Sequence, residues 1–403
     1  MNYRIIGTIL IVFSVVLLSF VSYRNSQKYR EPVVFSPKTM LISLWNDYKR
    51  EYVESSGRTI DKQRDSVTTS EGQSYTMLRA VWLDDREAFD KSWEWTKDNL
   101  QRVDDNLFSW LYGEREDGSI GILTSMGGAN SASDADTDIA LALIFAYSRW
   151  REPAYLDEAL PIIKDIWDRE VVIIKGKPYL AANNIEKTRS LDSIVVNPSY
   201  FSPYAYRIFA YLDKENDWQG LIDTSYEVLQ HSIRDRLDKE KSAFIPPDWI
   251  LINRANGFIF PANAGDLSTN YSYDAMRIPF RIALDYIWNS EQRAKETLSM
   301  LNFFEKEWME RGIIYANYSH DGSVFSTYEA PGFYGGIIAY FNITNPASAA
   351  VIYEKKLKTL YSPDENGWRG SLSYYDDNWA WFGLAFYNDL LPNLSPVLTI
   401  GKN

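Results

Sequence analysis

The plainest pattern in the chain is an apolar residue every three or four positions. From Asp134 to Trp150, residues Ile139, Ala142, Leu143, Ala146 and Trp150 keep that spacing and so share one helix face. The same period predicts helices over 38–56, 70–83, 87–101, 153–172, 199–212, 215–236, 273–289, 291–310, 331–341, 346–360 and 374–391. About twelve helices without a sustained strand–helix–strand rhythm point to an all-α fold. Long stretches rich in Gly, Asn, Pro and Asp interrupt them at 112–133, 172–198 and 237–272. Loops of that length inside a packed domain usually carry function. Short strands are expected within them, Val171 to Ile174 being one. No short motif repeats, which argues against a regular solenoid.

The amino terminus follows another pattern. Ile5 to Val21 is apolar apart from Gly7, Thr8, Ser14 and Ser19, a run of about the length needed to cross a bilayer. No A-x-A-like cleavage site follows it, so an N-terminal transmembrane helix is favoured over a cleaved signal. Arg24, Lys28 and Arg30 follow the run, so charge does not settle its orientation. The expected organisation is an anchor or signal at 1–23, a polar tether at 24–37, a folded domain at 38–395 and a tail at 396–403.

Composition narrows the chemistry. A net charge of −12 disfavours nucleic acid, which is bound through Lys and Arg. The absence of cysteine removes disulfides and thiolates. With only His231 and His320, a His-rich metal site or a Ser-His-Asp triad has little to draw on. Catalysis would have to run on carboxylates. The 14 Trp, 28 Tyr and 19 Phe mostly fill a core, but they also provide flat surfaces for sugar rings.

Three segments combine acidic, aromatic and small polar residues beyond what a plain helix needs. Ser70-Glu71-Gly72-Gln73-Ser74-Tyr75 stands at a helix start, with Ser70 as N-cap and Glu71 complementing the helix dipole. Gly72 is costly in a helix and suggests close approach by another group, a sugar being one candidate. Ala132-Ser133-Asp134-Ala135-Asp136-Thr137-Asp138 alternates three acids. An EF-hand would need Gly and Glu where Ile139 and Phe145 stand. Capping by Ser133 or Asp134 explains one acid, and Asp138 is expected on a polar face or in a hydrogen bond. In Tyr271-Ser272-Tyr273-Asp274-Ala275-Met276-Arg277-Ile278-Pro279-Phe280-Arg281, Asp274 and Arg277 are close enough to pair, and Pro279 kinks a helix or marks its start. Paired carboxylates suit glycoside hydrolysis, where one acid is protonated and the other ionised.

Together these strings resemble glycoside hydrolase family 8 over most of the chain after about residue 38. Ser70 to Met77 is similar to the family's acid-bearing motif, Ala132 to Trp150 to its signature, and Tyr273-Asp274-Ala275-Met276-Arg277 to its Y-D-A-x-R string. The resemblance implies an (α/α)6 barrel and an inverting endo-glycosidase, with Glu71 as general acid and Asp274 as general base. Asp134 is the matching catalytic acid of the signature, and it would hold the distorted sugar at the cleavage point. Asn197-Pro198-Ser199-Tyr200 matches a further string that places Tyr200 beside that sugar, and Phe108-Ser109-Trp110 makes Trp110 a stacking platform. Tyr273 and Arg277 would fix Asp274 and keep it ionised. Thr76 departs from the pattern, where Gly is commoner, and is expected to alter packing beneath Glu71.

The Y-D-A-x-R string belongs to the branch with cellulases and xylanases, which favours glucan or xylan over chitosan. The reading is therefore hydrolysis of β-1,4-glucan without metal or organic cofactor. Xylan or mixed-linkage glucan is the alternative within the family, and a non-catalytic glycan-binding protein the alternative outside it. A lyase or terpene cyclase on a similar barrel leaves the other motifs without a role. The apolar run implies membrane attachment with the catalytic part outside the cytoplasm, or secretion if the run is cleaved. Trimming of a nascent polysaccharide beside a synthase or export complex is one expected role, and foraging on external polymer is the alternative.

Overall fold

The computed structural model describes residues 36–265 and 267–395. The expected membrane helix, most of the tether and the C-terminal tail lie outside the described residues. Among those described, no helix is long and apolar enough to cross a membrane. The chain divides into Met1–Met40 and Leu41–Asn403, and the second unit holds nearly all of the described structure.

The chain is mostly helical. Thirteen helices of seven residues or more occur among the described residues: α1 (Pro37–Tyr52), α2 (Ser70–Leu83), α3 (Arg86–Leu100), α4 (Ser133–Trp150), α5 (Pro153–Asp165), α6 (Pro203–Leu212), α7 (Trp218–Arg234), α8 (Ile278–Asn289), α9 (Gln292–Met300), α10 (Asn302–Arg311), α11 (Pro331–Thr344), α12 (Pro346–Ile352) and α13 (Tyr374–Tyr387). Helices α2, α4, α6, α8, α11 and α13 pack on one another in chain order, and α3, α5, α7, α9 and α12 each pack on the inner helix that precedes them. Arg79 of α2 closes the ring by donating to Asp377 and Asn378 of α13, both at 3.0 Å. Position in the ring follows from composition. Helix α4 is buried from Ser133 to Ala146 on every face, as an inner helix must be. Helix α7 buries one side only.

The all-α expectation needs one amendment. Five small antiparallel sheets also occur among the described residues, built from the long loops. Val171–Ile174 is indeed a strand, paired with Lys177–Leu180. The predicted helix at 153–172 stops at Asp165 and passes through a wide π-type turn, Ile166–Glu170, before that strand. The predicted helix at 291–310 is two helices with a corner at Leu301. Ala294, Leu298, Leu301, Phe304 and Trp308 are all buried, so the apolar period runs through the corner and conceals it. Two other predicted helices begin late. Pro203 and Pro279 sit in the first turns of α6 and α8, where a missing N–H costs nothing. Asp274 therefore lies in a turn, followed by one 3₁₀ turn at Ala275–Arg277.

Helices α11 and α13 meet through glycine. A methyl group on Gly335 would strike the Trp379 carbonyl, and one on Gly383 would strike the Gly335 backbone. On the same helix, a methyl on Gly336 would strike the Met276 carbonyl, in the turn that follows Asp274. Overpacking a tight core typically costs about 1–3 kcal/mol. Gly335→Ala and Gly383→Ala should each lower stability by about that much, read as a fall of several degrees in the thermal midpoint. An unchanged midpoint would mean that the crossing relaxes freely.

Candidate active site

The site is organised around one cation. Arg277 is almost wholly buried, and its guanidinium reaches three carboxylates. Its Nη1 donates to Glu71 Oε2 at 2.5 Å and to Asp134 Oδ2 at 2.9 Å, and its Nη2 donates to Asp274 Oδ1 at 2.5 Å. A planar fork with five N–H groups suits such a task better than an ammonium would. Ser199 holds the fork from behind, its Oγ accepting from Nε at 3.1 Å and from Nη2 at 2.7 Å. Asn197 sets Ser199 by accepting both its amide and its hydroxyl. The Tyr200 ring lies 5.1 Å from the guanidinium.

A second ion pair lies one helical turn away. Arg281 donates to both oxygens of Asp138, at 2.9 and 2.7 Å, and also to Ser202 and Tyr204. Asp134 and Asp138 are four apart on α4; Arg277 and Arg281 are four apart at the start of α8. The two spacings match, so the pairs form a ladder between neighbouring inner helices. Asp138 is thus in a buried ion pair, not simply on a polar face.

Exposure separates the three acids. The Glu71 side chain is 23% exposed and that of Asp274 30%, whereas Asp134 is 2% exposed. Burial pushes the Glu71 carboxyl up; Arg277 opposes this, and Asp134 and Asp274 add to it, leaving Glu71 at about 7. Burial likewise raises Asp134, against Arg277 and Arg281. Oδ1 of Asp134 is buried and has no hydrogen-bond partner among the described residues.

Local structure around Glu71 differs from expectation. Thr69, not Ser70, caps α2, its hydroxyl accepting the Gly72 amide at 3.0 Å. The group that needs Gly72 is the Tyr374 hydroxyl, which a methyl there would strike. Thr76 does take part in the packing below: it shares a buried hydroxyl chain with Thr59 at 2.7 Å and Tyr48 at 3.1 Å. Neither Ser133 nor Asp134 caps α4; Ser133 donates to the Ala181 carbonyl and Ala132 holds the cap position without a side-chain bond.

The remaining candidates are spread around this centre. Trp110 is half-buried, with its indole N–H on the Gly127 carbonyl and its own carbonyl accepting the Ser70 amide, next to Glu71. Tyr273 sits beside Asp274, but its hydroxyl bonds Tyr328 at 3.0 Å and not Asp274. Arg277 alone of the two holds the carboxylate. Tyr375 donates to the Tyr273 carbonyl at 2.6 Å. Among the described residues, no three His, Asp or Glu side chains are grouped as metal ligands.

Ser199, Arg281 and Tyr375 are the site residues missed from sequence. Ser199 and Arg281 stood inside the quoted strings, and the matched four-residue spacing of two acids and two arginines was a usable signal. Nothing local marks Tyr375.

Asp136 serves another purpose. It accepts the Phe108 amide at 2.9 Å, and Glu170 accepts the Ser131 hydroxyl at 2.5 Å. Both carboxyls are fully buried, each keeps one oxygen without a hydrogen-bond donor, and they face each other. Two such groups need a proton between them. Burial raises Asp136 to about 8, and burial together with Asp136 raises Glu170 well above its usual range. The folded protein therefore keeps a proton that the unfolded chain loses above the ordinary carboxylate range. Stability should fall as pH rises from about 4 to about 8, by about 1.4 kcal/mol per unit for one proton. Asp136→Asn supplies the N–H permanently and should flatten that slope in thermal melts across pH. Parallel curves for variant and wild type would place the slope elsewhere.

Comparison with known proteins bears on the family and the fold. The family model described as glycosyl hydrolases family 8 matches residues 17–376. Endoglucanase A of Acetivibrio thermocellus is 30% identical over 309 residues, 74% of this chain, which spans only 60% of that relative's length. Among solved structures, endo-β-1,4-glucanase CMCax from Acetobacter xylinum superposes with a TM-score of 0.67 at 23% identity, covering 88% of this chain and 98% of that one. A xylanase from Teredinibacter turnerae gives 0.68 at 19% identity, covering 88% and 95%. The two structures share the fold, and the match of the family model over most of the length establishes that this chain belongs to glycoside hydrolase family 8.

Proposed function

We propose that this protein is an inverting endo-β-1,4-glucanase in which Glu71 is the general acid and Asp274 the general base. The observation that carries the reading is the single Arg277 guanidinium shared by an acid at about 7 and a second, exposed carboxylate. Glu71 is half-protonated near neutrality and can protonate the glycosidic oxygen as the bond breaks. Asp274 has one oxygen on Arg277 and a second that takes a proton from water attacking the opposite face of the ring. Only the water is consumed: the base returns its proton to solvent, and Glu71 takes one back from solvent before the next turn. Asp134, with its free Oδ1, would hold a hydroxyl of the distorted sugar, and Tyr200 would line that position. Trp110 would stack on a neighbouring sugar. Glucan is favoured because the relatives that match are endoglucanases. Xylan is the second reading, supported by the likeness to a xylanase. The apolar run at Ile5–Val21 supports attachment to a membrane with the catalytic unit outside, where a polymer is met, beside a polysaccharide synthase or export complex.

Reducing-end release should be measured on carboxymethylcellulose, mixed-linkage glucan, xylan and chitosan. Glu71→Gln and Asp274→Asn should each lower kcat by about 10²- to 10⁴-fold, with KM little changed. Activity on xylan alone would keep the mechanism and change the substrate. A folded wild type inactive on every polymer, or variants as active as wild type, would sink the assignment. The pH profile gives a separate check. The working form has Glu71 protonated, so kcat/KM should fall above about pH 7, by tenfold per unit. A profile flat to pH 9 would remove Glu71 as the acid.

A further inference from the structure

The turn that carries Asp274 raises a question of hydrogen-bond supply. Outside a helix, the amides around Asp274 have no helical partner, and a carboxylate readily bonds nearby backbone N–H groups. Were Asp274 to do so, it would be drawn away from Arg277 and from the water it is to activate. One atom elsewhere in the chain instead takes two of these amides, one two residues before Asp274 and the one just after it. Oδ1 of Asp248 accepts the Ser272 amide at 3.0 Å and the Ala275 amide at 2.7 Å.

Asp248 is built in for this task. It is 6% exposed, and it stands just before the strand Ile250–Asn253. Its own amide donates to the Asn270 carbonyl at 2.7 Å, and the Trp249 amide donates to Ser268 at 3.0 Å. The segment around Asp248 therefore runs beside 268–272 and is tied to it at both ends of the contact. No salt bridge to Asp248 occurs among the described residues. The charged groups that act on it are Asp274 and Arg277. Burial and the Asp274 charge hold its carboxyl well above the usual range, against Arg277 and the two amides it accepts.

We propose that Asp248 is a positioning residue for the base: by accepting these two amides on either side of Asp274, it fixes the turn with the second Asp274 oxygen free for water. This rests on the reading of Asp274 given above. A misplacement of about 1 Å at such a group is worth about a hundredfold in rate.

The test is steady-state kinetics on the polymer that wild type cleaves best, with Asp248→Ala, Asp248→Asn and Asp274→Asn compared by circular dichroism and thermal midpoint. Asp248→Ala should lose roughly tenfold to a hundredfold in kcat with KM nearly unchanged. Asp248→Asn keeps an acceptor oxygen in place for both amides, so it should recover kcat to near wild type, with the pH profile unmoved. A folded Asp248→Ala with wild-type kcat would overturn the proposal, as would an Asn variant with a wild-type midpoint and kcat as low as the Ala variant. If the Ala variant does not fold, the Asn variant decides by the same kcat and pH limits. The two readings fail separately. An Asp274→Asn variant with wild-type activity removes the base itself, whereas an inactive Asp274→Asn beside an unimpaired Asp248→Ala removes only the role of Asp248.

Discussion

A charge taken out of water has to meet its opposite, and most of this site follows from that rule. Helix α4 offers Asp134 and Asp138 on one face; the start of α8 offers Arg277 and Arg281 on the face opposite. Each arginine is buried and cannot give up its proton, so the two segments have one favourable register. Shifting α8 by a residue would strand two guanidinium groups in the interior. Breaking a buried pair of this kind costs about 3–5 kcal/mol. The ladder therefore aligns the signature helix with the turn that carries Asp274.

The ladder is also unbalanced. Glu71, Asp134, Asp138 and Asp274 face two arginines, so the site holds more acid than base. The surplus settles on Glu71, through burial first and its acidic neighbours after. A carboxyl at about 7 is thus an outcome of burial first and of the charges around Arg277 second. Behind the ladder the same rule produces a different solution. Among the described residues Asp136 and Glu170 have no ion-pair partner; burial raises both carboxyls, and they accept from the Phe108 and Ser131 segments.

What the sequence revealed was whatever repeats at short range. The apolar period of 134–150 located α4, and the three acidic strings located Glu71, Asp134 and Asp274, which the fold brings onto one arginine. Errors arose where a distant residue decides a local matter. Ser70 looked like a cap because Thr69 and Ser70 are chemically alike, and only the backbone geometry distinguishes them. Gly72 looked like room for a sugar because Tyr374, 302 positions later, cannot be seen from its neighbourhood. The corner at Leu301 left no trace in the spacing. Asp248 stands in a loop without a motif, and its meaning depends on two amides more than twenty residues away.

The absence of a methyl group at Gly336 has its own consequence. The Met276 carbonyl rests against the wall of α11 at that point, so the turn after Asp274 is seated on the barrel itself. A carboxylate mounted on a surface hairpin would wander with every movement of that hairpin. One seated on an inner helix inherits the rigidity of the ring. The hairpin Asn317–Tyr318 with Val324–Ser326 is held to the same part of the chain, Tyr318 pairing with Tyr271 three residues before Asp274. Side chains farther out can move without carrying that carboxylate with them.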